Sequence, residues 1–290
     1  MTRSPIDVVG FGASSVDYVN VLPGTPAPRG PNAKLPITSH FISCGGQVAT
    51  MLAACTAFGL RTMYLGPLGT DANARLVREE LERRGVDLSA AIVRDADNQF
   101  AVILIDERTG ERMVLWRRDP RLRMGNVAID LPPARVLHVD DVDQEASIAL
   151  ARLAAGRGMM VTSDIDRVTE RTPELVASVT VPIFDEHVPP ALTGEADQER
   201  ALRKLRATHT GLLCVTLGDR GAMALDGDRL VYAPAHAVEA VDTTAAGDVF
   251  RAGLVVALLE GQGIDSALNF ANTVAAASCT RRGAMSSIGS

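Results

Sequence analysis

From residue 135 to residue 217, short apolar runs rich in β-branched residues alternate with amphipathic helical segments. A parallel pair of strands needs a long crossover, usually a helix, whereas antiparallel strands can be joined by a tight turn. The alternation therefore predicts an α/β fold with a mostly parallel sheet and helices on both of its faces. The predicted strands span residues 136–139, 159–162, 181–184 and 212–217, and the predicted helices span 144–153, 174–178 and 195–208.

The rest of the sequence adds helices and a second kind of β structure. Small-residue helices are predicted at 48–60, 249–259 and 266–279, a charged helix at 71–84, and strands at 6–11 and 61–65. Residues 100–105 and 112–116 form a predicted hairpin, and so do 222–225 and 230–232. The first hairpin and the extended residues 18–42 could form a small sheet beside the main body. We expect one domain that carries this β appendage.

Composition excludes several classes of partner. The 290 residues carry a formal net charge of -6, which argues against nucleic-acid binding because that requires clustered Lys and Arg. No apolar run reaches the roughly 18 residues of a membrane helix, and residues 6–11 begin a strand where a signal peptide would continue. The four cysteines lie in apolar surroundings without metal-site spacing, so we expect reduced thiols in a cytoplasmic protein.

Residues 241–250 (Val-Asp-Thr-Thr-Ala-Ala-Gly-Asp-Val-Phe) place small residues immediately before a predicted helix. The first turn of a helix leaves backbone N–H groups unpaired, and the helix dipole there favours an anion. Ala245, Ala246 and Gly247 would expose such groups, and Asp248 beside them could handle a proton. An anion site with one fixed base indicates phosphoryl transfer to a hydroxyl. A capped helix, with Thr243 or Thr244 as N-cap and Asp248 complementing the dipole, explains the same residues.

The N-terminal strand ends in Gly10-Phe11-Gly12, which resembles half of a dinucleotide-binding fingerprint. Ser15 occupies the third glycine position, and no acidic residue follows between Tyr18 and Thr70 to hold a ribose hydroxyl. An NAD-dependent enzyme is therefore excluded. Asp17 lies just past the strand, where open α/β sheets bind ligands, although a surface turn is the better explanation of Asp17 taken alone.

A basic run from Arg117 to Arg123 is unusual in an acidic protein. Such a run is often a solvated loop. It could also face an anionic group of a substrate or a partner subunit.

Four motifs occur in an order and spacing that extend over nearly the whole chain. They are Gly12 to Asp17, Gly45-Gly46 with 68–71 (Leu-Gly-Thr-Asp), 216–221 (Thr-Leu-Gly-Asp-Arg-Gly) and 242–248 (Asp-Thr-Thr-Ala-Ala-Gly-Asp). Together they resemble the ribokinase, or PfkB, family of carbohydrate kinases. The hairpin around residues 110–112 is similar to that of ketohexokinase-like members.

The resemblance implies a Rossmann-like three-layer α/β/α domain over residues 1–290, with a β-sheet lid from segments about 18–42 and 98–118. It implies transfer of the γ-phosphoryl group of ATP to a hydroxyl, usually a primary one, of a pentose or ketohexose. ATP and Mg²⁺ would be required, and many members also hold K⁺. Several relatives are dimers through the lid, so a homodimer is expected.

The resemblance also assigns roles to the motif residues. Asp248 would be the general base, and Ala245, Ala246 and Gly247 would donate N–H groups to the transferred phosphoryl. Asp17, Gly45 and Gly46 would hold sugar hydroxyls. The nucleotide site would comprise Thr216, Gly218, Gly221 and Asn272.

Two motifs depart from the family pattern. Thr50 stands where an asparagine often contacts the sugar. The N-x-x-E motif linked to Mg²⁺ and phosphate falls at residues 185–188, where Asp185 or Glu186 could substitute as metal ligand. Asp242 and residues 281–283 match the region that holds a monovalent cation. Asp164 at a strand end could lie near the metal-bound phosphates, and a packed strand-end carboxylate explains it about as well.

Two other functions stay open beside the sugar kinase. A nucleoside kinase of the same fold would stack its base on an aromatic side chain of the lid, for which Phe100, Phe41 and Trp116 are candidates. A catalytically impaired, sugar-binding relative would fit the altered residues 185–188. The intact Asp248 and its helix start oppose that hypothesis.

Overall fold

The computed structural model describes residues 5–285 and 288. The strands are β1 Ile6–Phe11, β2 Ser15–Leu22, β3 Ser39–Gly45, β4 Thr62–Tyr64, β5 Pro67–Leu68, β6 Ile92–Val93, β7 Gln99–Asp106, β8 Arg112–Arg117, β9 Ala134–Asp140, β10 Met160–Asp164, β11 Ile183–Asp185, β12 Leu213–Thr216, β13 Ala222–Asp226 and β14 Arg229–Ala233. The helices are α1 Gln47–Ala57, α2 Ala72–Arg83, α3 Gln144–Gly156, α4 Thr172–Ser178, α5 Val188–Thr193, α6 Gln198–Arg206, α7 Ala246–Leu259 and α8 Ile264–Ser278.

The main sheet has the strand order β4-β1-β9-β10-β11-β12-β13-β14. Its two four-stranded parts are joined by parallel bridges from Thr162 to Val181 and from Ile165 to Phe184. Neighbouring strands pair in parallel along β4-β1-β9-β10-β11-β12, and they pair antiparallel along β12-β13-β14. The predicted mostly parallel sheet is confirmed, as is the hairpin that ends it.

Helices cover both faces of this sheet because successive strand residues point to opposite sides. On β1, Val9 and Phe11 belong to a core cluster with buried residues of α3, α4 and α6, whereas Val8 packs with α1, α2 and α7. Helix α8 packs with α7 over the β11–β14 end. The result is the predicted three-layer α/β/α architecture, with an aliphatic core.

A second sheet, of order β3-β2-β7-β8, stands apart from the main one. The predicted hairpin is present, with Phe100 opposite Arg117 and Ile105 opposite Arg112. Strands β2 and β3 begin and end three residues outside the predicted segment 18–42, since β2 starts at Ser15 and β3 ends at Gly45. The organisation as one domain with this sheet as its lid stays a prediction.

One helix was absent from the sequence-based assignment. Residues 195–208 were predicted as a single helix, but α6 spans Gln198–Arg206 and a separate helix, α5, spans Val188–Thr193. Proline interrupts the interior of a helix, but Pro189 and Pro190 lie in the first turn of α5. The N–H groups of the first turn have no partner within the helix, so proline costs no hydrogen bond there. Gly194 then ends α5 in the left-handed conformation.

Candidate active site

The loop before α7 is tied to the C-terminal part of the chain through Asp242. Oδ1 of Asp242 accepts hydrogen bonds from the Thr244 N–H (2.9 Å) and hydroxyl (2.5 Å), and Oδ2 accepts one from the Gly283 N–H (2.9 Å). Both oxygens of this carboxylate are thus engaged in holding the loop. The loop in turn fixes where α7 begins.

The start of α7 provides unpaired backbone donors, although not the same three that the motif predicts. The Ala246 N–H donates to the Thr243 carbonyl oxygen (3.2 Å), and Ala245 is buried as the N-cap residue. Within residues 5–285 and 288, the N–H groups of Ala245, Gly247 and Asp248 have no backbone acceptor. The anion site is therefore centred on Gly247, where the helix dipole also favours negative charge.

Asp248 lies in the first turn of α7, partly exposed to a cavity. Burial raises the pKa of its carboxyl group to about 7; Arg251 opposes this shift, and the charge of Asp17 adds to it. A carboxylate with a pKa near 7 is a stronger base than an ordinary aspartate at neutral pH. The electrostatics of the site thus suit proton abstraction.

Asp17 reaches the same cavity from β2. It is 8% exposed, its Oδ1 accepts a hydrogen bond from the Ser15 hydroxyl (3.2 Å), and burial raises its pKa to about 6. A Cβ on Gly45 would lie 2.5 Å from the other oxygen of Asp17. Glycine at position 45 therefore leaves room for the Asp17 carboxylate.

Gly46 is required by the backbone at the start of α1. Its φ is +98°, and a Cβ there would lie 2.6 Å from the Ser14 Cα. The helix start can approach the β1–β2 loop this closely only without a side chain. Gly46 thereby joins Asp17 at the cavity wall.

These residues enclose a cavity of 390 Å³ between the main body and the second sheet. Its floor comes from the ends of main-sheet strands and the start of α7, the position at which open α/β sheets bind ligands. Its lining includes Gly46, Asp164, Asp166, Asp185, Gly247, Asp248 and Arg251 from the body, with Asp17, Gln99, Ala101, Ile103, Arg112, Val114 and Trp116 from β2, β7 and β8 of the second sheet.

Of the three aromatic candidates from the sequence, Trp116 lines this cavity, whereas Phe100 and Phe41 do not. Side chains alternate along a strand, and the odd-numbered residues 99, 101 and 103 of β7 face the cavity. Phe100 points the other way and packs edge-to-face on Tyr18, with ring centroids 6.1 Å apart. The alternation was available from the sequence, but which face meets the cavity depends on how the two sheets are arranged.

A second cavity, of 720 Å³, adjoins the first on the β12–β14 side. All four predicted nucleotide-site residues line it: Thr216, Gly218, Gly221 and Asn272. Gly221 has a φ of +99°, and a Cβ there would collide with the Ala233 carbonyl oxygen. Asn272 donates to the carbonyl oxygens of Ala233 (2.9 Å) and Pro234 (3.1 Å), which fixes the segment after β14 along the cavity wall.

The two cavities meet at the start of α7. The residues that line both are Arg112, Asp185, Thr243, Gly247 and Arg251, whereas Asp248 lines only the smaller cavity. A group that passes from one cavity to the other would thus cross Gly247 and its free N–H. Asp248, the candidate base, would then lie in the smaller cavity, which receives that group.

Arg251, one turn after Gly247, is a component that the sequence interpretation missed. It is 4% exposed, its Nη2 lies 2.6 Å from Oδ1 of Asp164, and a Cβ on Gly247 would lie 2.6 Å from its Nη1. Burial raises the pKa of Asp164, and the positive charge of Arg251 opposes that shift. Since arginine inside an apolar helical run gives no sign of the direction it faces, only the fold reveals this role.

A second missed residue connects the small sheet to the loop before α7. Nη1 of Arg112 on β8 donates to the Thr244 hydroxyl (3.2 Å) in the loop before α7. This contact brings the edge strand of the small sheet over the junction of the cavities.

Among the predicted metal ligands, Asp185 lines both cavities and Glu186 only the larger one. Glu186 is paired with Arg220, which neutralises its charge. No group of three or more His, Cys, Asp or Glu side chains converges on one point in the described residues. Mg²⁺ commonly uses one or two protein carboxylates and takes its other ligands from phosphates and water, so Asp185 at the junction fits it.

Thr50 is not brought to the site. It is fully buried within α1, lines neither cavity, and its hydroxyl has no hydrogen-bond partner in the part of the chain that the structure describes. Its predicted contact with a sugar finds no support in this geometry.

Comparisons with known proteins agree with this arrangement. The ribokinase of Haemophilus influenzae is 23% identical over 289 residues, which cover 96% of this chain and 94% of the relative. The aminoimidazole riboside kinase of Salmonella typhimurium is 28% identical over 278 residues, 86% of each chain. The structure of Arabidopsis thaliana ribokinase complexed with ribose and ATP has a TM-score of 0.83, with 21% identity, and covers 98% of this chain and 96% of that one.

None of the described helices has the length and apolar character needed to cross a membrane.

The model of the pfkB family carbohydrate kinases matches residues 30–289, nearly the whole chain. The chain therefore belongs to the pfkB family of carbohydrate kinases, phosphotransferases that use an alcohol group as acceptor.

Proposed function

We propose that this protein transfers the γ-phosphoryl group of ATP to a hydroxyl, preferably a primary one, of a pentose or ketohexose. The observation that carries the proposal is the junction of the two cavities at Gly247, with Asp248 on one side only. ATP would occupy the 720 Å³ cavity and the sugar the 390 Å³ cavity. Their contents would meet over the unpaired N–H groups of α7.

In the proposed mechanism, the carboxylate of Asp17 accepts hydrogen bonds from sugar hydroxyls and orients the acceptor. Asp248 accepts the proton of the attacking hydroxyl as the new oxygen–phosphorus bond forms. The Gly247 N–H and the guanidinium of Arg251 stabilise the negative charge of the phosphoryl group during transfer. The small sheet, held by Arg112, excludes water that would compete as an acceptor.

A divalent cation would add charge neutralisation at the β- and γ-phosphates when it is bound. Asp185 at the junction is the residue we assign to hold it, through its carboxylate or a water ligand. Asp242 was predicted to contribute to a monovalent-cation site. Because its oxygens already hold Thr244 and Gly283, we derive no step from that cation.

Trp116 favours a nucleoside as the second candidate acceptor. This side chain is 63% exposed and lines the smaller cavity, where an aromatic base could stack on it. Turnover of adenosine or another nucleoside at a higher kcat/KM than ribose and fructose would favour this candidate. The reverse ranking would favour the sugar kinase.

The proposed role of Asp248 predicts a pH profile. Because the pKa of Asp248 is raised to about 7, the base is protonated and inactive below that value and ionised above it. We expect kcat/KM to fall about tenfold for each pH unit below about 7, and to be level above it. The pKa of about 6 for Asp17 should steepen the fall below that pH.

Steady-state rates between about pH 5 and pH 8.5, at constant ionic strength and saturating ATP, give this profile. The stability of the protein over the range is checked by assay at pH 8 after exposure to each pH. A profile that stays level down to about pH 5 would remove Asp248 as the ionising base.

We also propose a homodimer formed through the small sheet. Met113, Leu115 and Trp116 on edge strand β8 are 46%, 54% and 63% exposed, and Ile42 on the other edge strand is 50% exposed. Exposed apolar edge strands commonly pair with another chain.

The four cysteines are free thiols, which supports a reducing, cytoplasmic location for the protein.

Light scattering should therefore give about twice the chain mass of 30.7 kDa, and Leu115→Glu should halve it. Val127→Glu, at a position that is 51% exposed outside this sheet, is the matched control and should leave the dimer intact. A monomeric wild-type protein at micromolar concentration would exclude the dimer.

A further inference from the structure

A third cavity, of 610 Å³, continues from the proposed sugar cavity beneath the end of β8. Gln47, Gln99, Trp116 and Asp166 line both spaces. A ligand held at Asp17 and Asp248 could therefore extend past Trp116 into this cavity. Neither ATP nor the reacting hydroxyl, as assigned above, occupies it.

The basic run 117–123 divides into two pairs with different surroundings. Arg117 forms an ion pair with Asp97 (2.8 Å) and Arg121 one with Asp119 (2.6 Å), and both arginine side chains are more than half exposed. Arg118 and Arg123 instead line the third cavity.

Neither of these two arginines has a carboxylate partner. Nε and Nη1 of Arg118 are buried without a hydrogen-bond acceptor in the residues described, and Arg123 forms no ion pair with any of them. Burial lowers the pKa of the Arg118 guanidinium, the charges of Asp140 and Asp143 oppose this shift, and the charge of Arg123 adds to it. The two arginines are thus close enough to interact, and in the residues described neither forms an ion pair with a carboxylate.

The acidic residues of the cavity wall are already engaged. Asp119 is paired with Arg121, and Asp166 lies 3.2 Å from Nε of Arg167, which also binds Asp141 (2.8 Å). The two carboxylates of the cavity wall therefore leave the guanidinium groups of Arg118 and Arg123 without an ion pair. Buried donors without acceptors are unfavourable, and an anionic ligand would satisfy them. The guanidinium fork matches phosphate and carboxylate oxygens in particular.

We propose that the physiological sugar carries an anionic group, a phosphate or a carboxylate, which Arg118 and Arg123 bind in the third cavity. The inference rests on the proposed kinase function and specifies its substrate class. The accepting hydroxyl lies at the end of the sugar near Asp248, and the anionic group lies at the end beyond Trp116. Recognition adds no chemical step to phosphoryl transfer.

The test compares neutral sugars with anionic counterparts that keep a primary hydroxyl. Fructose is compared with fructose 1-phosphate and fructose 6-phosphate, ribose with ribose 1-phosphate, and glucose with gluconate. We expect kcat/KM to be about 100-fold higher for an anionic member, because two charge-assisted contacts are added. Preference for a phosphate ester or for gluconate identifies the anionic group.

Variants of the basic run locate the recognition. Arg118→Gln and Arg123→Gln should each lower kcat/KM for the preferred anionic sugar about 10- to 100-fold and change that for its neutral counterpart less than about threefold. Arg117→Gln is the matched control, since this side chain is paired with Asp97 outside the cavity. Calorimetric titration of the preferred anionic sugar without ATP should rank the variants by Kd in the same order as their kcat/KM.

A wild-type enzyme whose kcat/KM for neutral sugars equals that for every anionic counterpart would overturn the inference. Equal losses in Arg117→Gln, Arg118→Gln and Arg123→Gln would overturn it too. Arg123 is exposed, so Arg123→Gln keeps the test valid if Arg118→Gln does not fold. Asp248-dependent turnover of neutral sugars without anionic preference would defeat only this inference. Absence of Asp248-dependent turnover with both classes would defeat the proposed function itself.

Discussion

Asp248→Asn is expected to lower kcat by about 10³-fold while leaving the Kd of the sugar within about threefold of the wild-type value. The amide has nearly the shape of the carboxylate but cannot accept the proton of the attacking hydroxyl. The carboxylate of Asp17 and the backbone at Gly46 would still hold the acceptor. Stopped-time assays of phosphosugar formation measure the first quantity, and calorimetry without ATP measures the second.

Glu260→Gln is the matched control for this substitution. It makes the same change of carboxylate to amide at the exposed C-terminal end of the same helix, α7. We expect wild-type turnover and stability from it. An Asp248→Asn enzyme with more than about a tenth of wild-type kcat would show that Asp248 is not the base.

Arg251→Met is expected to affect stability and turnover together. It leaves the carboxylate of Asp164, 2% exposed, buried without its cation, and breaking such a pair costs about 3–5 kcal/mol of unfolding free energy. Because burial raises the pKa of Asp164, protonation of this group would relieve the cost as pH falls. We also expect kcat to fall about 10²-fold or more, since a positive charge is lost beside Gly247.

The double variant Arg251→Met, Asp164→Asn separates these two effects. Removal of the unpaired carboxylate should recover most of the stability in denaturant titrations. Turnover should stay low, because the guanidinium is still absent from the junction of the cavities. A double variant with wild-type kcat would reduce Arg251 to a structural role.

Much of the fold could be predicted from local pattern. The alternation of strand and helix after residue 135 predicts the parallel sheet, and the turn residues at 106–111 predict the β7–β8 hairpin. Helix α5 was absent from the prediction. Proline can end a helix or occupy its first turn, and Pro189-Pro190 does the second. Local propensity does not distinguish these two uses of proline.

The candidate site was predictable where a motif constrains the backbone. Gly46 and Gly221 have positive φ values and leave no space for a Cβ, so glycine at each position follows from the geometry. Asp17 and Asp248 were predicted beside them, and the structure places both at one cavity. Short motifs of this kind identify positions whose surroundings admit few residue types.

Residues that act through long-range packing were not predictable in this way. Arg251 reaches the cavity only because of how α7 packs on the sheet, and the choice of Trp116 among the three aromatic candidates depends on how β8 crosses the cleft. The same reason explains the error at Phe100, which the strand alternation directs to the opposite face. The division of residues 117–123 into paired and unpaired arginines likewise depends on contacts distant in sequence.

The central claim is that ATP and a hydroxyl compound react across Gly247 with Asp248 as base. The most direct measurement incubates the protein with ATP, Mg²⁺ and each member of a panel of neutral sugars, sugar phosphates, sugar acids and nucleosides, and follows ADP and phosphomonoester by ³¹P NMR. We predict equimolar ADP and phosphorylated product with at least one acceptor, and loss of both in Asp248→Asn. Absence of product with every acceptor, or equal product from the Asp248→Asn protein, would contradict the proposed mechanism.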